Sequence, residues 1–149
     1  MIRPEILAPA GDSEKLRFAV DYGADAVYLA GKAFGMRSAS GNFSREELAQ
    51  AVRWCHERGV RVYVTVNTLP RDPELAQLPD YLAFLDACGA DAIILADLGV
   101  LRLAKQYAPR CRIHISTQTS IVNSEAACMW HELGASRIVL ARELTLEEI

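Results

Sequence analysis

The sequence predicts an α/β fold in which helices alternate with the buried strands of one parallel sheet. Four blocks of similar sequence support this prediction: Gly23–Ala30, Gly59–Val66, Gly89–Ala96 and Gly134–Ala141. Each block begins with a glycine that follows a helical stretch, where a left-handed residue commonly ends a helix. The remainder of each block is mostly apolar, as in a strand that helices cover on both faces of the sheet.

The first half of the chain contains three predicted strands and two helices. Glu5–Ala8 is the first strand, and Asp12 is a good N-cap for a helix that runs to Tyr22. The second strand ends at Gly31. A loop over residues 32–43 precedes the second helix, where Ser44 and Glu47 form a capping box. The apolar stripe of this helix consists of Leu48, Ala51, Val52 and Cys55. The third strand ends at Asn67.

The second half continues the alternation. Pro73 can open a short helical turn and Pro79 a longer helix, since proline is tolerated in the first turn of a helix. The fourth strand ends at Asp97 and precedes a helix over residues 98–107. The fifth strand is Arg112–Ser116, followed by a helix that Asn123 or Ser124 caps. The sixth strand ends at Arg142 and Glu143, and a second capping box, Thr145 to Glu148, begins a sixth helix.

These units follow one another without a flexible linker, which indicates one domain over residues 1–149. A closed barrel of eight βα units needs about 250 residues. We therefore expect a TIM-barrel-like (β/α) fold with about six of its eight units present, cut one turn into the sixth helix. The alternative is an open doubly wound parallel sheet, which would be complete with six strands. Against it, the turn after the first strand, Pro9–Asp12, lacks the glycine pattern of dinucleotide-binding folds.

Composition excludes several classes of function. The net charge of −3 argues against sequence-independent binding of nucleic acid, which needs an excess of basic residues. A local basic patch would still allow RNA as a substrate. Neither a secretory signal nor a membrane-spanning apolar stretch is present, and the cytoplasm is the expected location. The cysteines at positions 55, 88, 111 and 128 are too widely spaced for a zinc ribbon or a compact cluster site, and we expect them to be buried free thiols. No metal site is predicted.

The candidate site lies where the strands end, because barrel enzymes bind their substrates at the C-terminal face. Strand alternation places Tyr63, Thr65 and Asn67 on one face of their strand, and His114, Ser116 and Gln118 on one face of theirs. So much polarity inside a barrel favours a site, and the alternative is a satisfied internal hydrogen-bond network. We assign acid–base roles to His114 and Glu143. The expected substrate-binding residues are Tyr28, Arg37, Asn42, Asn67, Asp97, Ser116, Gln118 and Arg142.

Each assignment has a structural alternative. His114 could be a packed core histidine, and Asp97 could serve only as an N-cap. Arg142 and Glu143 could form an internal salt bridge. The glycine-containing loop that includes Arg37 is typical of a segment that closes over a phosphate or carboxylate. The alternative is an ordinary connecting loop without a role in binding.

Several motifs in order resemble the N-terminal part of the collagenase-like peptidase family, the thirty-second family of peptidases of unknown catalytic type. The matching segments are Pro4–Gly11, Tyr22–Tyr28, Gly41–Phe43, Val64–Thr68, Asp91–Gly99, His114–Gln118 and Val139–Leu144. The resemblance covers essentially the whole chain and implies a barrel-like fold. Family members include proteases that act on collagen and proteins that hydroxylate a transfer-RNA wobble uridine or ribosomal RNA, or take part in oxygen-independent ubiquinone synthesis.

The resemblance implies a cluster-dependent hydroxylating or RNA-modifying enzyme, of which this chain is the substrate-cradling part. Several members carry a [4Fe–4S] cluster on cysteines outside this part, so any ligands would lie beyond residue 149. Alternatives are a peptidase and a non-catalytic binding scaffold, although nothing here resembles a nucleophile–base pair. The expected partners are an RNA, peptide or small-molecule substrate and no membrane. We expect little activity from the chain by itself, and a homo-oligomer formed through exposed strand edges.

Overall fold

A computed structural model describes residues 3–36 and 41–149 and contains one sheet of six parallel strands. The strands are Leu7–Pro9 (β1), Ala26–Ala30 (β2), Arg61–Val66 (β3), Ala92–Leu95 (β4), Arg112–Ile115 (β5) and Arg137–Ile138 (β6). The helices are Ser13–Asp21 (α1), Arg45–His56 (α2), Asp72–Leu75 (α3), Leu78–Cys88 (α4), Leu98–Tyr107 (α5) and Ser124–Glu132 (α6). The predicted alternation of strands and helices is therefore confirmed.

The strands lie side by side in the order β1-β2-β3-β4-β5-β6, which is also their order in the sequence. A doubly wound sheet would reverse direction at a switch point, with its first strand in the middle. The sequential order is instead that of a (β/α) barrel, in which each new unit adds to the same edge. The structure confirms the predicted barrel-type fold and excludes the open doubly wound alternative.

The sheet is curled, and its two faces pack differently. The convex face carries the main core, where branched residues such as Val27, Val64 and Ile93 are completely buried beneath the helices. The concave face holds a smaller cluster made of Ala26, Tyr63, Ala92 and Ile94, against which Leu7 and Tyr28 pack. The six strands thus form a half-barrel with an apolar outer layer and a mixed polar and apolar interior.

The predicted helix ends are confirmed in their details. The four block-opening glycines have φ between 71° and 101°, which is the left-handed region expected after a helix. Asp12 Oδ1 accepts a 2.8 Å hydrogen bond from Lys15 N, and Asn123 Oδ1 accepts one of 2.9 Å from Ala126 N. The capping box of Ser44 and Glu47 is complete. Local sequence alone therefore determines where most helices begin and end.

Most predicted strand ends shift by one or two residues, and two boundaries differ more. The sixth strand was expected to reach Arg142, but β6 pairs with β5 through only two residues. Its continuation is held by loop contacts instead: Ala141 N donates to Ile121 O at 3.0 Å, and Thr117 Oγ1 donates to Leu140 O at 3.0 Å. Only half of the second predicted capping box forms: Thr145 N donates to Glu148 Oε2 at 2.8 Å, but Glu148 N donates to the Thr145 carbonyl and not to its hydroxyl. The residues that follow Thr145 make a turn rather than a helix.

Candidate functional site at the C-terminal ends of the strands

Polar side chains of β3 and β5 project from the concave face into the interior of the half-barrel, as the alternation predicts. The rings of Tyr63 and His114 meet edge to face with centroids 4.6 Å apart, although β4 lies between their strands. This contact requires both side chains to point toward the barrel interior. Asn67 follows the last residue of β3, and Gln118 lies in a single 3₁₀ turn after β5, so both stand at the mouth of the half-barrel.

The segment after β2, residues 31–36, crosses this mouth and is called here the mouth segment. Its last residue, Met36, contacts both predicted amides. Met36 N donates to Asn67 Oδ1 at 3.4 Å, and Gln118 Nε2 contacts Met36 Sδ. A second backbone contact, Thr68 N to Phe34 O at 3.3 Å, ties the mouth segment to the residues that follow β3. The structure therefore brings Asn67 to the backbone, and Gln118 to the side chain, of the same residue, Met36.

Close packing holds the mouth segment in place. A Cβ on Gly35 would lie 2.8 Å from the Ala30 Cβ, and one on Gly31 would collide with the Tyr81 hydroxyl. Phe34 adopts a positive φ of 62°, an uncommon conformation for a bulky residue, and its ring packs 5.5 Å from that of Tyr81. The two glycines are therefore required by sterics, and the segment rests on the α4 aromatic residue beneath it.

Two of the predicted binding residues are engaged as helix caps. Asp97 Oδ1 accepts a 2.9 Å hydrogen bond from Val100 N and is the N-cap of α5. Ser116 is buried and caps the 3₁₀ turn, with its Oγ 3.5 Å from Gln118 N. Asp97 therefore has the N-cap role that was its structural alternative, and Ser116 orients the turn that carries Gln118.

The remaining predicted residues are more dispersed. Tyr28 packs on the interior cluster. Asn42 is buried beside Phe43, which forms a parallel β-bridge with Gly31 just after β2. Arg142 and Glu143 are exposed, and neither forms an ion pair with another described residue, so the internal salt bridge proposed for them is not observed in that part of the chain. Arg37 lies outside the described residues.

The sequence reasoning missed a charged network at the opposite, N-terminal end of the interior. Glu5 accepts hydrogen bonds from Tyr63 Oη at 2.9 Å and from Arg137 Nη1 at 2.5 Å, and it also pairs with Arg61. Burial of Glu5 disfavours its charged form, but hydrogen bonds from Arg137 and Tyr63 outweigh this effect and lower the pKa of its carboxyl. Alternation of side chains along β3 could have indicated this network, because it places Arg61 and Tyr63 on the same face of the strand.

His114 is neutral at ordinary pH. Its side chain is 3% exposed, and burial, aided by the nearby positive charge of Arg137, lowers its pKa to about 4. A neutral imidazole can donate one hydrogen bond and accept another. The structure therefore places beside Tyr63 a histidine suited to orienting a polar group, in the layer below the mouth.

The cysteines do not form a ligand set. Cys55 and Cys111 are buried, and burial raises the pKa of their thiols to about 11 and about 12. Cys88 is only half-buried and Cys128 is exposed on α6, contrary to the expectation that all four would be buried. Within residues 3–36 and 41–149 no three His, Cys, Asp or Glu side chains are grouped as metal ligands. These cysteines therefore do not fit an iron–sulfur cluster, whose ligands must be thiolates gathered at one point.

A sequentially ordered (β/α) half-barrel with a polar site at its C-terminal mouth defines the class of this protein. Within that class, the chain belongs to peptidase family U32, whose family model matches residues 11–149. The fold agrees: the solved structure of the U32 peptidase Mk0906 superposes with a TM-score of 0.73 at 16% sequence identity, over 94% of this chain and 60% of that one. The expected family membership is confirmed.

Two relatives with curated names are similar to nearly all of this chain. The tRNA hydroxylation protein P1 of Bacillus subtilis (strain 168) is 42% identical over 147 residues, which are 99% of this chain and 35% of that protein. The 23S rRNA 5-hydroxycytidine C2501 synthase of Escherichia coli (strain K12) is 40% identical over 147 residues, which are 99% of this chain and 22% of that protein. The chain thus spans about a third or less of the length of these relatives. No helix among the described residues is long and apolar enough to cross a bilayer.

Proposed function

We propose that this chain forms the substrate-binding half-barrel of an RNA-hydroxylating protein. The observation that carries the proposal is the pair of carboxamides, Asn67 and Gln118, that both contact Met36 at the mouth. Each carboxamide offers a donor and an acceptor, which is the pattern that base edges present. The names of the two relatives support RNA as the substrate class.

The proposed role of these residues is to bind and orient one base. Enzymes that modify a base take it out of the stack and read its edge with hydrogen bonds inside a pocket. Asn67 and Gln118 would hold the base edge, and neutral His114 would orient a polar group from the layer below. Arg142, which is exposed at the mouth, would bind the adjacent phosphate.

Hydroxylation of a base also needs a donor of the oxygen atom and an acceptor of two electrons, and we place both outside this chain. We propose that the whole protein carries a [4Fe–4S] cluster on cysteines other than the four present here, and that it acts in the cytoplasm, where its RNA substrates would be found. The protein purified without oxygen should then show broad iron–sulfur absorbance. An iron-free, colourless preparation that still hydroxylates RNA would contradict this part of the proposal.

The binding role is tested by complementing a deletion strain and measuring hydroxylated nucleosides in its RNA by mass spectrometry. The unaltered protein and the control Gln106→Ala, an exposed change on α5, should both restore the modified nucleoside. Asn67→Ala and Gln118→Ala should each reduce it at least about tenfold, because each loses a hydrogen bond to the edge of the base. If both variants restore it fully, the carboxamides do not bind the substrate.

Two other functions have distinct outcomes in the same system. A peptidase, as the family name states, would cleave casein or gelatin, and cleavage would be lost with Asn67→Ala and Gln118→Ala in purified protein. A non-catalytic scaffold would bind RNA through the same residues while the nucleoside composition of the deletion strain stayed unchanged. The peptidase candidate is the weaker, because no serine, threonine or cysteine side chain hydrogen-bonds to a histidine in the described part of the chain.

A further inference from the structure

Met36 contacts both carboxamides of the mouth. Its backbone N–H lies against Asn67, and its sulfur lies against Gln118. The side chain comes from neither strand but from the mouth segment, which places it above the strand ends. Any flat ligand held at its edge by both amides must therefore meet Met36.

Both amides are satisfied only weakly by Met36. The hydrogen bond to Asn67 Oδ1 is 3.4 Å long, which is beyond the usual range for an N–H donor and a carbonyl oxygen. A thioether sulfur is a poor acceptor for the amide of Gln118. A ligand that offers ordinary oxygen and nitrogen partners would replace the sulfur contact of Gln118 with a stronger one. It would bind Asn67 beside the backbone N–H of Met36, through the second lone pair of Oδ1 or through the amide N–H groups.

The side chain is free to move while the backbone beneath it is not. Met36 is 57% exposed, and methionine has an unbranched, adaptable side chain. The residues before it are fixed by the close packing of Gly31 and Gly35 and by the ring of Phe34. Displacement of the thioether from Gln118 thus requires only rotation about side-chain bonds, and the backbone contact between Met36 and Asn67 stays in place.

We propose that Met36 is a positioning and specificity residue of the mouth. Its thioether covers the Gln118 carboxamide, turns aside when a nucleobase binds Gln118 and Asn67, and then packs against the face or edge of the ring. This inference rests on the proposed function, because the ligand it names is the base of an RNA substrate. A thioether beside an aromatic ring adds a contact that does not depend on the hydrogen-bonding pattern of the base.

The chain contains three methionines, so methyl-labelled methionine gives a simple NMR probe of this proposal. Met129, which is exposed on α6, serves as the internal control, and the Met36→Leu variant identifies the Met36 methyl signal. The probes are uridine monophosphate, cytidine monophosphate and a short single-stranded oligouridine RNA. Their addition should shift the Met36 methyl signal and the side-chain amide signals of Asn67 and Gln118, while the Met129 methyl signal stays in place.

Variants test the energetic part of the proposal. Met36→Ala should weaken binding of the oligouridine about 2- to 10-fold, as expected for loss of a sulfur–aromatic contact. Met36→Leu, which keeps most of the apolar volume, should recover part of that loss, and Met129→Ala should have no effect. These variants change an exposed side chain, so their folding can be checked by the unchanged spectrum of the remaining residues.

Failure of this inference differs from failure of the proposed function. If the probes shift the amide signals of Asn67 and Gln118 but leave the Met36 methyl signal unmoved, and Met36→Ala binds as tightly as the unaltered chain, the role of Met36 is disproved while the binding site stands. If none of the three probes shifts any of these signals, both the site and the role of Met36 are rejected.

Discussion

Glu5 and Arg137 are 132 positions apart in the sequence, and their side chains form a 2.5 Å ion pair inside the half-barrel. Glu5 precedes the first strand, and Arg137 begins the sixth, so the contact spans the opening between the two ends of the sheet. A flat sheet of six strands would hold these residues about 24 Å apart, given about 4.8 Å between neighbouring strands. The pair is therefore a direct consequence of the curl.

Removing Glu5 should destabilise the chain strongly. Glu5→Gln leaves Arg61 and Arg137 without their carboxylate, and loss of one partner from a buried pair costs about 3 to 5 kcal/mol. The two arginines are 43% and 35% exposed, so we expect a lower value, about 2 kcal/mol, in urea unfolding followed by circular dichroism. Glu143→Gln, an exposed change with no ion-pair partner among the described residues, should stay within about 0.5 kcal/mol. Equal stability of the two variants would contradict a stabilising network.

Acid should weaken the fold through His114 before the carboxylates are protonated. Its pKa is lowered to about 4 in the folded chain, against about 6.5 when unfolded. Between these values the unfolded chain binds the proton and the folded chain does not, so stability falls as the pH decreases from about 6.5 to about 4. The full loss is on the order of 3 kcal/mol, at about 1.4 kcal/mol per pH unit.

The measurement is urea unfolding at a series of pH values. His114→Gln should flatten the dependence in this window, whereas His131→Gln, at an exposed position on α6, should preserve it. An unchanged slope in His114→Gln would show that His114 is not the group responsible.

Gly31 lies so close to the Tyr81 hydroxyl that the two positions should be energetically coupled. Gly31→Ala drives a methyl group into the Tyr81 hydroxyl and should destabilise the chain by about 1 to 3 kcal/mol, the range seen for overpacking. The hydroxyl is buried and has no hydrogen-bond partner of normal geometry among the described residues. Tyr81→Phe alone should therefore be neutral or slightly stabilising.

Because Tyr81→Phe removes the colliding atom, it should recover most of the stability lost in Gly31→Ala. Thermal unfolding of the two single variants and the double variant measures this coupling directly. Purely additive effects would mean that the collision is relieved elsewhere, by movement of the mouth segment.

The two outer strands should promote association of chains. Among the described residues β1 pairs only with β2 and β6 only with β5, so each leaves one edge unpaired. We expect light scattering to detect dimers or larger species whose fraction rises with concentration. Ile6→Lys, beside the β1 edge, should reduce association, because a lysine at an edge opposes pairing. Leu69→Lys, at an exposed loop position, is the matched control. A monomer at every concentration would contradict this prediction.

The sequence predicts the local architecture well because its signals are short-range. The left-handed glycines, the caps at Asp12, Ser44 and Asn123, and the apolar strands all depend on residues within a few positions of one another. Alternation likewise predicts that Tyr63 and His114 face the interior. The roles of the ten predicted site residues remain predictions, since position alone does not establish binding or catalysis.

Other features could not be predicted, for physical reasons. The strand β6 is short because it has a neighbour on one side only, and its extension is held by contacts with the loop after β5. Cys128 is exposed because α6 contributes no fully buried residue, a property of its place at the end of the sheet and not of its sequence.

The sequence by itself determined the class of fold, the helix ends and the strand faces, because each depends on backbone conformation and on the alternation of neighbouring side chains. Only the tertiary structure decided which distant residues meet. The curl of the sheet brings Glu5 to Arg137, and the path of the mouth segment brings Met36 into contact with both Asn67 and Gln118. Both contacts join residues far apart in the chain, and they form only after the intervening strands have aligned and curled.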